Sequence, residues 1–74
     1  MSRLPNLTAR KVVQALKHAG FVEDGQRGSH LFLWHEGKDL GTSVPMHPGD
    51  LKRSLLKQIL KQADLSEDQF RKYL

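Results

Sequence analysis

Four histidines, His18, His30, His35 and His47, are the side chains of this sequence best suited to move a proton near neutral pH. His30 stands apart by its neighbours. In RGSHLFLWH, residues 27–35, Gly28 and Ser29 lead into a histidine that opens the most hydrophobic run of the chain. Histidine is a poor choice for starting a buried strand if packing is the only demand. A metal role is not expected: no histidine pair has the short spacing of a zinc site, and the chain has no cysteine to complete one. His30 and His35 could meet His47 only from neighbouring strands. His18 falls on the polar side of a helix, where solvation is expected. Ser29 and His30 are adjacent, so on a strand they point to opposite faces, which is poor geometry for a serine nucleophile and its base. The stretch GQRGS lacks the glycine–lysine pattern of a triphosphate-binding loop. No cofactor is implied.

General acid–base chemistry remains. RNA carries its own nucleophile, the ribose 2′-OH, so an enzyme that deprotonates it needs neither a metal nor a protein nucleophile. It needs a base, cations beside the phosphate and a groove for the strand. His30, Arg27 and basic helix faces could supply these, and Gly28 would let an RNA backbone come close. Ser29 could bind a phosphate oxygen or steer the imidazole, or make only a local turn hydrogen bond. His30 itself could instead begin a strand and donate one hydrogen bond, the commoner role of an isolated histidine. The residues by themselves leave both readings open.

The elements that must position these groups are legible in the pattern. Thr8 can cap a helix from about Ala9 to Ala19, stopped by Gly20, with Ala9, Val12, Val13, Leu16 and Ala19 on one face. Phe21 and Val22 begin a short strand, DGQRG reads as a turn, HLFLWH is a second strand, EGKD a second turn and LGTSVPM a third strand. Pro48, Gly49 and Asp50 read as the start of a helix running to Ala63, with a wide leucine–isoleucine stripe and with Arg53, Lys57 and Lys61 four residues apart on a basic ridge. Ser66 caps a last short helix, from which Phe70, Tyr73 and Leu74 can fold back. The expected class is α+β: an α-β-β-β-α order, a three-stranded antiparallel sheet with both helices on one face, and a short C-terminal helix.

Length and charge bound the function. A chain of 74 residues is expected to form one domain over 1–74, with room for a shallow site only, which disfavours a small-molecule substrate and favours a polymer or a protein. The absence of cysteine suits a reducing compartment, no apolar run approaches a membrane span, and the basic N-terminus MSRLPNLTARK has no apolar core of a signal peptide, so a cytoplasmic location with no membrane partner is expected. Twelve Lys and Arg stand against eight acids, and the positive charge sits in the predicted helices: residues 1–20 carry four basic residues and no acid, residues 51–74 six basic and three acidic ones. An anionic partner such as nucleic acid fits this as well as ordinary solvated helix faces do.

LKHAGFVEDGQRGSHLFLWH, then VPMH, then LKQILKQADLSEDQF resembles the HicA family of bacterial toxin components over nearly the whole chain. The family pattern is a helix ending in GF, a GSH at the second strand, a VPxH where the third strand ends and a LxxILKQA helix, and all four occur here in order. PMHPGDLKRSLL departs from it in lacking the glycine many relatives place early in the second helix, which bears on RNA contact more than on the chemistry. The resemblance implies a fold similar to double-stranded-RNA-binding domains, an endoribonuclease that cuts mRNA, the histidine of the GSH motif as its catalytic residue, here His30, and a HicB-type antitoxin as partner. Arg27, Gly28, Ser29, Lys52, Arg53 and Lys57 are the expected RNA contacts. The rivals are a non-catalytic RNA-binding module, which shares the same order of elements, and a DNA-binding regulator, which the three strands disfavour.

Overall fold

The computed structural model describes residues 4–74; Arg3, counted above among the basic residues, lies outside the described residues. Helix α1 (Ala9–His18) is followed by strands β1 (Val22–Arg27), β2 (His30–His35) and β3 (Leu40–Pro45), then by helices α2 (Arg53–Gln62) and α3 (Glu67–Arg71). The strands form one antiparallel sheet in the order β1-β2-β3. The expected α+β order is thus the observed one.

Thr8 caps α1 by accepting from the Lys11 backbone N–H at 3.3 Å. At its other end the Gly20 and Phe21 N–H groups donate back to the Lys17 and Leu16 carbonyls, each at 3.0 Å. Both hydrogen bonds of a Schellman motif are therefore present. Helix α2 ends the same way, with Asp64 and Leu65 donating to Lys61 and Leu60, and Asp64 takes the left-handed conformation at φ 56°. The Lys38 ammonium from the β2–β3 turn donates to the Ala63 and Asp64 carbonyls at 3.4 and 3.2 Å, placing a cation at the negative end of α2. Ser66 and Gln69 form a reciprocal capping box at the start of α3.

Two expected boundaries are corrected. DGQRG is not a turn: Asp24 to Arg27 belong to β1, and the register slips between Glu23 and Gln26, so Asp24 and Gly25 together oppose Phe32 in a bulge. The reversal is confined to Gly28 and Ser29, flanked by the Arg27–His30 pair. Gly28 has φ 57° and Ser29 is not left-handed, the pattern of a II′ hairpin with glycine at its first central position. Gln26 steadies this turn by donating from Nε2 to the Gly28 carbonyl at 3.1 Å. Likewise, Pro48, Gly49 and Asp50 do not start α2. Pro48 and Gly49 form a bend, Asp50 bridges Thr8, and the Leu51 N–H donates to the Leu7 carbonyl at 2.8 Å, so Asp50 and Leu51 are held against the chain preceding α1. The helix begins only at Arg53, with Lys52 as an N-cap lacking a side-chain cap bond.

The core lies between the helices and one face of the sheet. Val12, Val13 and Leu16 of α1, Leu31 and Leu33 of β2, Val44 of β3, and Leu56, Ile59 and Leu60 of α2 are buried with Phe21 and Phe70. Of the three C-terminal residues expected to fold back, Phe70 is fully buried and Tyr73 half-buried, whereas Leu74 remains exposed. Strand β1 is exposed along its whole length. Among the described residues no helix is long and apolar enough to cross a membrane.

Candidate active site

Strand β2 alternates strictly between exposed and buried positions up to Trp34. With a period of two, Leu31 and Leu33 face the helices, and His30, Phe32 and Trp34 face the open side of the sheet. His35 therefore lies on the opposite face from His30. Its ring meets Phe21 edge-on with centroids 5.1 Å apart, and its Nδ1 accepts from the Lys38 N–H at 3.0 Å. It serves the turn and the core. His18 is exposed, its Nδ1 lying 3.4 Å from the Tyr73 carbonyl oxygen. His47 is exposed in the loop after β3, two residues beyond Pro45, the β3 partner of His30. Among the described residues no group of three or more His, Asp and Glu converges as metal ligands would.

His30 stands at the closed end of the β1–β2 hairpin, opposite Arg27 on one side and Pro45 on the other. Residues paired across strands have Cβ atoms about 5 Å apart on the same face, so Arg27 and His30 are immediate neighbours. The imidazole is exposed, and among the described residues it has no hydrogen-bond partner. It opens into a groove of ≈ 140 Å³ lined by Ser43 and Pro45 of β3 and by Leu55, Gln58, Ile59 and Gln62 of α2. That volume is below the roughly 300–1,000 Å³ of small-molecule pockets. It has room for a group the size of one ribose or phosphate and none for an engulfed metabolite. Ser29 is half-buried in the turn and its carbonyl accepts from the Met46 N–H, which ties the turn to the end of β3.

The basic residues of α2 do not line this groove. Successive helical residues turn by about 100°, which puts Lys57 about 140° around the axis from Gln62. Lys57 and Lys61 are exposed, and Arg53 is half-buried, its Nη2 donating to Asn6 Oδ1 at 3.4 Å. Lys52 is exposed at the N-cap. On α1, Lys17 is paired with Glu23 of β1. Of the residues expected at the site, His30, Arg27, Gly28 and Ser29 are brought together; Lys52, Arg53 and Lys57 form a separate basic area at the start of α2.

Sequence reasoning missed Ser43, Gln58 and Gln62 as neighbours of His30, and Phe32 and Trp34 as exposed companions on its strand. The alternation in HLFLWH was a usable signal for the second pair. Nothing in the one-dimensional pattern pairs β3 or α2 with His30.

The family model for the HicA toxin of bacterial toxin–antitoxin systems matches residues 9–65, well over half of the 74 residues, from the start of α1 to just beyond α2. A search of curated protein sequences found no match. The matched segment contains the whole sheet, the GSH turn and the groove beside His30, and the chain belongs to the HicA toxin family.

Proposed function

We propose that this toxin is a metal-independent endoribonuclease of mRNA, with His30 as the base that deprotonates the ribose 2′-OH, and that a HicB-type antitoxin neutralises it. The observation that carries the reading is the unpartnered, exposed imidazole of His30 in a groove sized for one sugar or phosphate, with a guanidinium beside it. A base must have a free ring nitrogen and a path for its substrate, and the developing charge on phosphorus needs a cation. Arg27 supplies that cation. Gly28 carries no side chain at the approach, and Ser29 would bind a phosphate oxygen or steer the imidazole. Incubating the chain with labelled RNA is the direct test: cleavage products support the reading, and binding without any cutting would leave only an RNA-binding module.

Phosphates beyond the groove are assigned to Lys52, Arg53 and Lys57. RNA affinity should fall steeply with salt, and alanine at these three positions should flatten that dependence. Each lost contact lowers the slope of log affinity against log salt by about 0.7 for a single strand. A slope unchanged in the triple variant, measured by titration at several salt concentrations, would move the strand elsewhere, first to Arg10 and Lys11 on α1.

The antitoxin inhibits by covering the His30 face. A shallow site without a lid is blocked by simple contact, and a chain of net charge +4 favours an acidic partner and fast, salt-sensitive association. Hydrogen exchange on the complex should show protection from Arg27 to His35. Protection confined to α3, around Phe70 and Tyr73, would refute direct occlusion.

A further inference from the structure

Phe32 and Trp34 are 38% and 37% exposed on the open face of the sheet, on the same strand and the same side as His30. Packing does not require large aromatic rings there. The core of this domain is on the other face, and solvent-facing positions of a half-covered antiparallel sheet are ordinarily polar. The rings are also not loosely placed. The six-membered ring of Trp34 lies over Gly41 of β3: a Cβ at Gly41 would come within 2.9 Å of indole Cε3 and 3.5 Å of Cζ3. The absence of a side chain at Gly41 lets the indole rest on the neighbouring strand while part of it remains open.

A hollow of ≈ 440 Å³ crosses the sheet at this level, from Asp24 of β1 past Phe32 and Trp34 to Ser43 of β3 and Gln62 of α2. Gln62 also lines the groove of His30, so the two depressions share a wall. Its side chain is oriented from behind: the Thr42 hydroxyl, itself buried, donates to Gln62 Oε1 at 2.8 Å, with the Ile59 carbonyl 3.3 Å away. With its oxygen engaged, Gln62 offers its amide N–H groups as donors, while Asp24 at the opposite rim offers acceptors.

We propose that Phe32 and Trp34 form a base-stacking site, which takes the unpaired nucleobases next to the phosphate held at His30. This rests on the ribonuclease reading above and names its substrate class: single-stranded RNA. Alternate residues of a strand are about 6.6–6.8 Å apart. That is about twice the 3.4 Å rise per nucleotide of a stacked strand. RNA unstacked and drawn out along β2 to about twice that rise presents successive bases at the pitch of His30, Phe32 and Trp34, with one backbone unit at the imidazole and the next two bases on the rings. Arg27 pairs with His30 at the cationic end of this row. Aromatic faces accept any base, so the site selects for unpaired structure more than for sequence.

The test separates bases from phosphates. The probes are an RNA of about ten nucleotides without self-complementarity, within the usual site size of single-strand grooves, the same RNA annealed to its complement, and a ribose-phosphate chain of equal length without bases. Each is titrated into the full-length His30→Ala chain, and Trp34, the only tryptophan, reports contact through its emission. The unpaired RNA should quench Trp34 and bind at least about tenfold more tightly than the other two probes. Phe32→Leu and Trp34→Leu keep apolar bulk at exposed positions but remove the rings. Binding by these variants is followed through the anisotropy of a dye on the RNA, since Trp34→Leu removes the tryptophan; each should weaken binding of the unpaired RNA about 5- to 150-fold while leaving the affinity for the base-free chain and a cooperative melting transition in place. Equal affinity for the base-bearing and base-free chains overturns the site, and cleavage of RNA by the wild-type chain would then leave the ribonuclease reading standing. Base-dependent binding with no cleavage by the wild type has the reverse meaning: the stacking site holds and the ribonuclease reading fails. Leucine variants that release the antitoxin but keep full RNA affinity would assign the two rings to the protein partner and overturn the proposal.

Discussion

The His30→Ala toxin should fold as the wild type does and cut RNA about 10²–10⁴-fold more slowly, the usual cost of removing one positioned general base. The two halves of this expectation have separate causes. The fold survives because His30 is exposed at the mouth of β2, its imidazole makes no hydrogen bond to the described residues, and it adds nothing to the buried cluster. Surface substitutions of that kind stay within about 0.5 kcal/mol. Activity falls because no second group near the groove can take its place: Ser43, Gln58 and Gln62 carry no basic side chain, and a guanidinium such as that of Arg27 has donors but no acceptor. Growth arrest on expression should disappear with the cleavage. The check is a single-turnover cleavage rate alongside a melting curve. Undiminished cutting by a folded His30→Ala chain would remove His30 from the chemistry and reopen His47 as the base.

Cleavage should need no divalent ion and should stop when the ribose at the cut site lacks its 2′-OH. In the mechanism proposed above, the 2′-oxygen would attack the phosphorus as its proton passes to His30; the bond from phosphorus to the 5′-oxygen would break, and that oxygen would take up a proton as it leaves. The product strand then ends in a 2′,3′-cyclic phosphate. General-base catalysis makes the rate rise with pH and then level off. If a protonated group, His47 or a lysine, must serve the leaving oxygen, the profile becomes a bell. Two assays decide the matter, one in excess chelator and one on an RNA with a single 2′-deoxy nucleotide at the cut position. The first should proceed at the full rate. The second should show loss of cutting with binding retained, because the phosphates and bases are unchanged. Abolition by chelator, or normal cutting of the deoxy substrate, rules out this mechanism.

What could be read in the chain before it folded is what depends on short-range rules. Thr8 and Ser66 announce their helices because a side-chain oxygen three residues ahead of a backbone N–H has a local geometric task, and both perform it. The stripes of α1 and α2 follow from helical periodicity, so the α-β-β-β-α order and the buried face of each of these helices were legible. The GSH motif and its companions were legible as a family pattern, and with them the candidacy of His30.

Three things were decided only by the tertiary structure. The DGQRG segment has the composition of a turn, yet pairing with β2 turns most of it into strand, because ladder hydrogen bonds and a bulge at Gly25 outweigh local turn preference and leave the reversal to Gly28 and Ser29. Pro48, Gly49 and Asp50 carry helix-start signals, yet Asp50 and Leu51 are recruited by the segment before α1, a pairing across more than forty residues that no window of sequence contains. The surroundings of His30 likewise come from afar. Ser43 reaches it by strand register, and Gln58 and Gln62 by the way α2 settles beside β3. The same packing turns Lys57 toward solvent, away from a groove that charge alone would have assigned to it. Periodicity says which face of an element is buried; only the packing of one element on another says what stands next to the face left open.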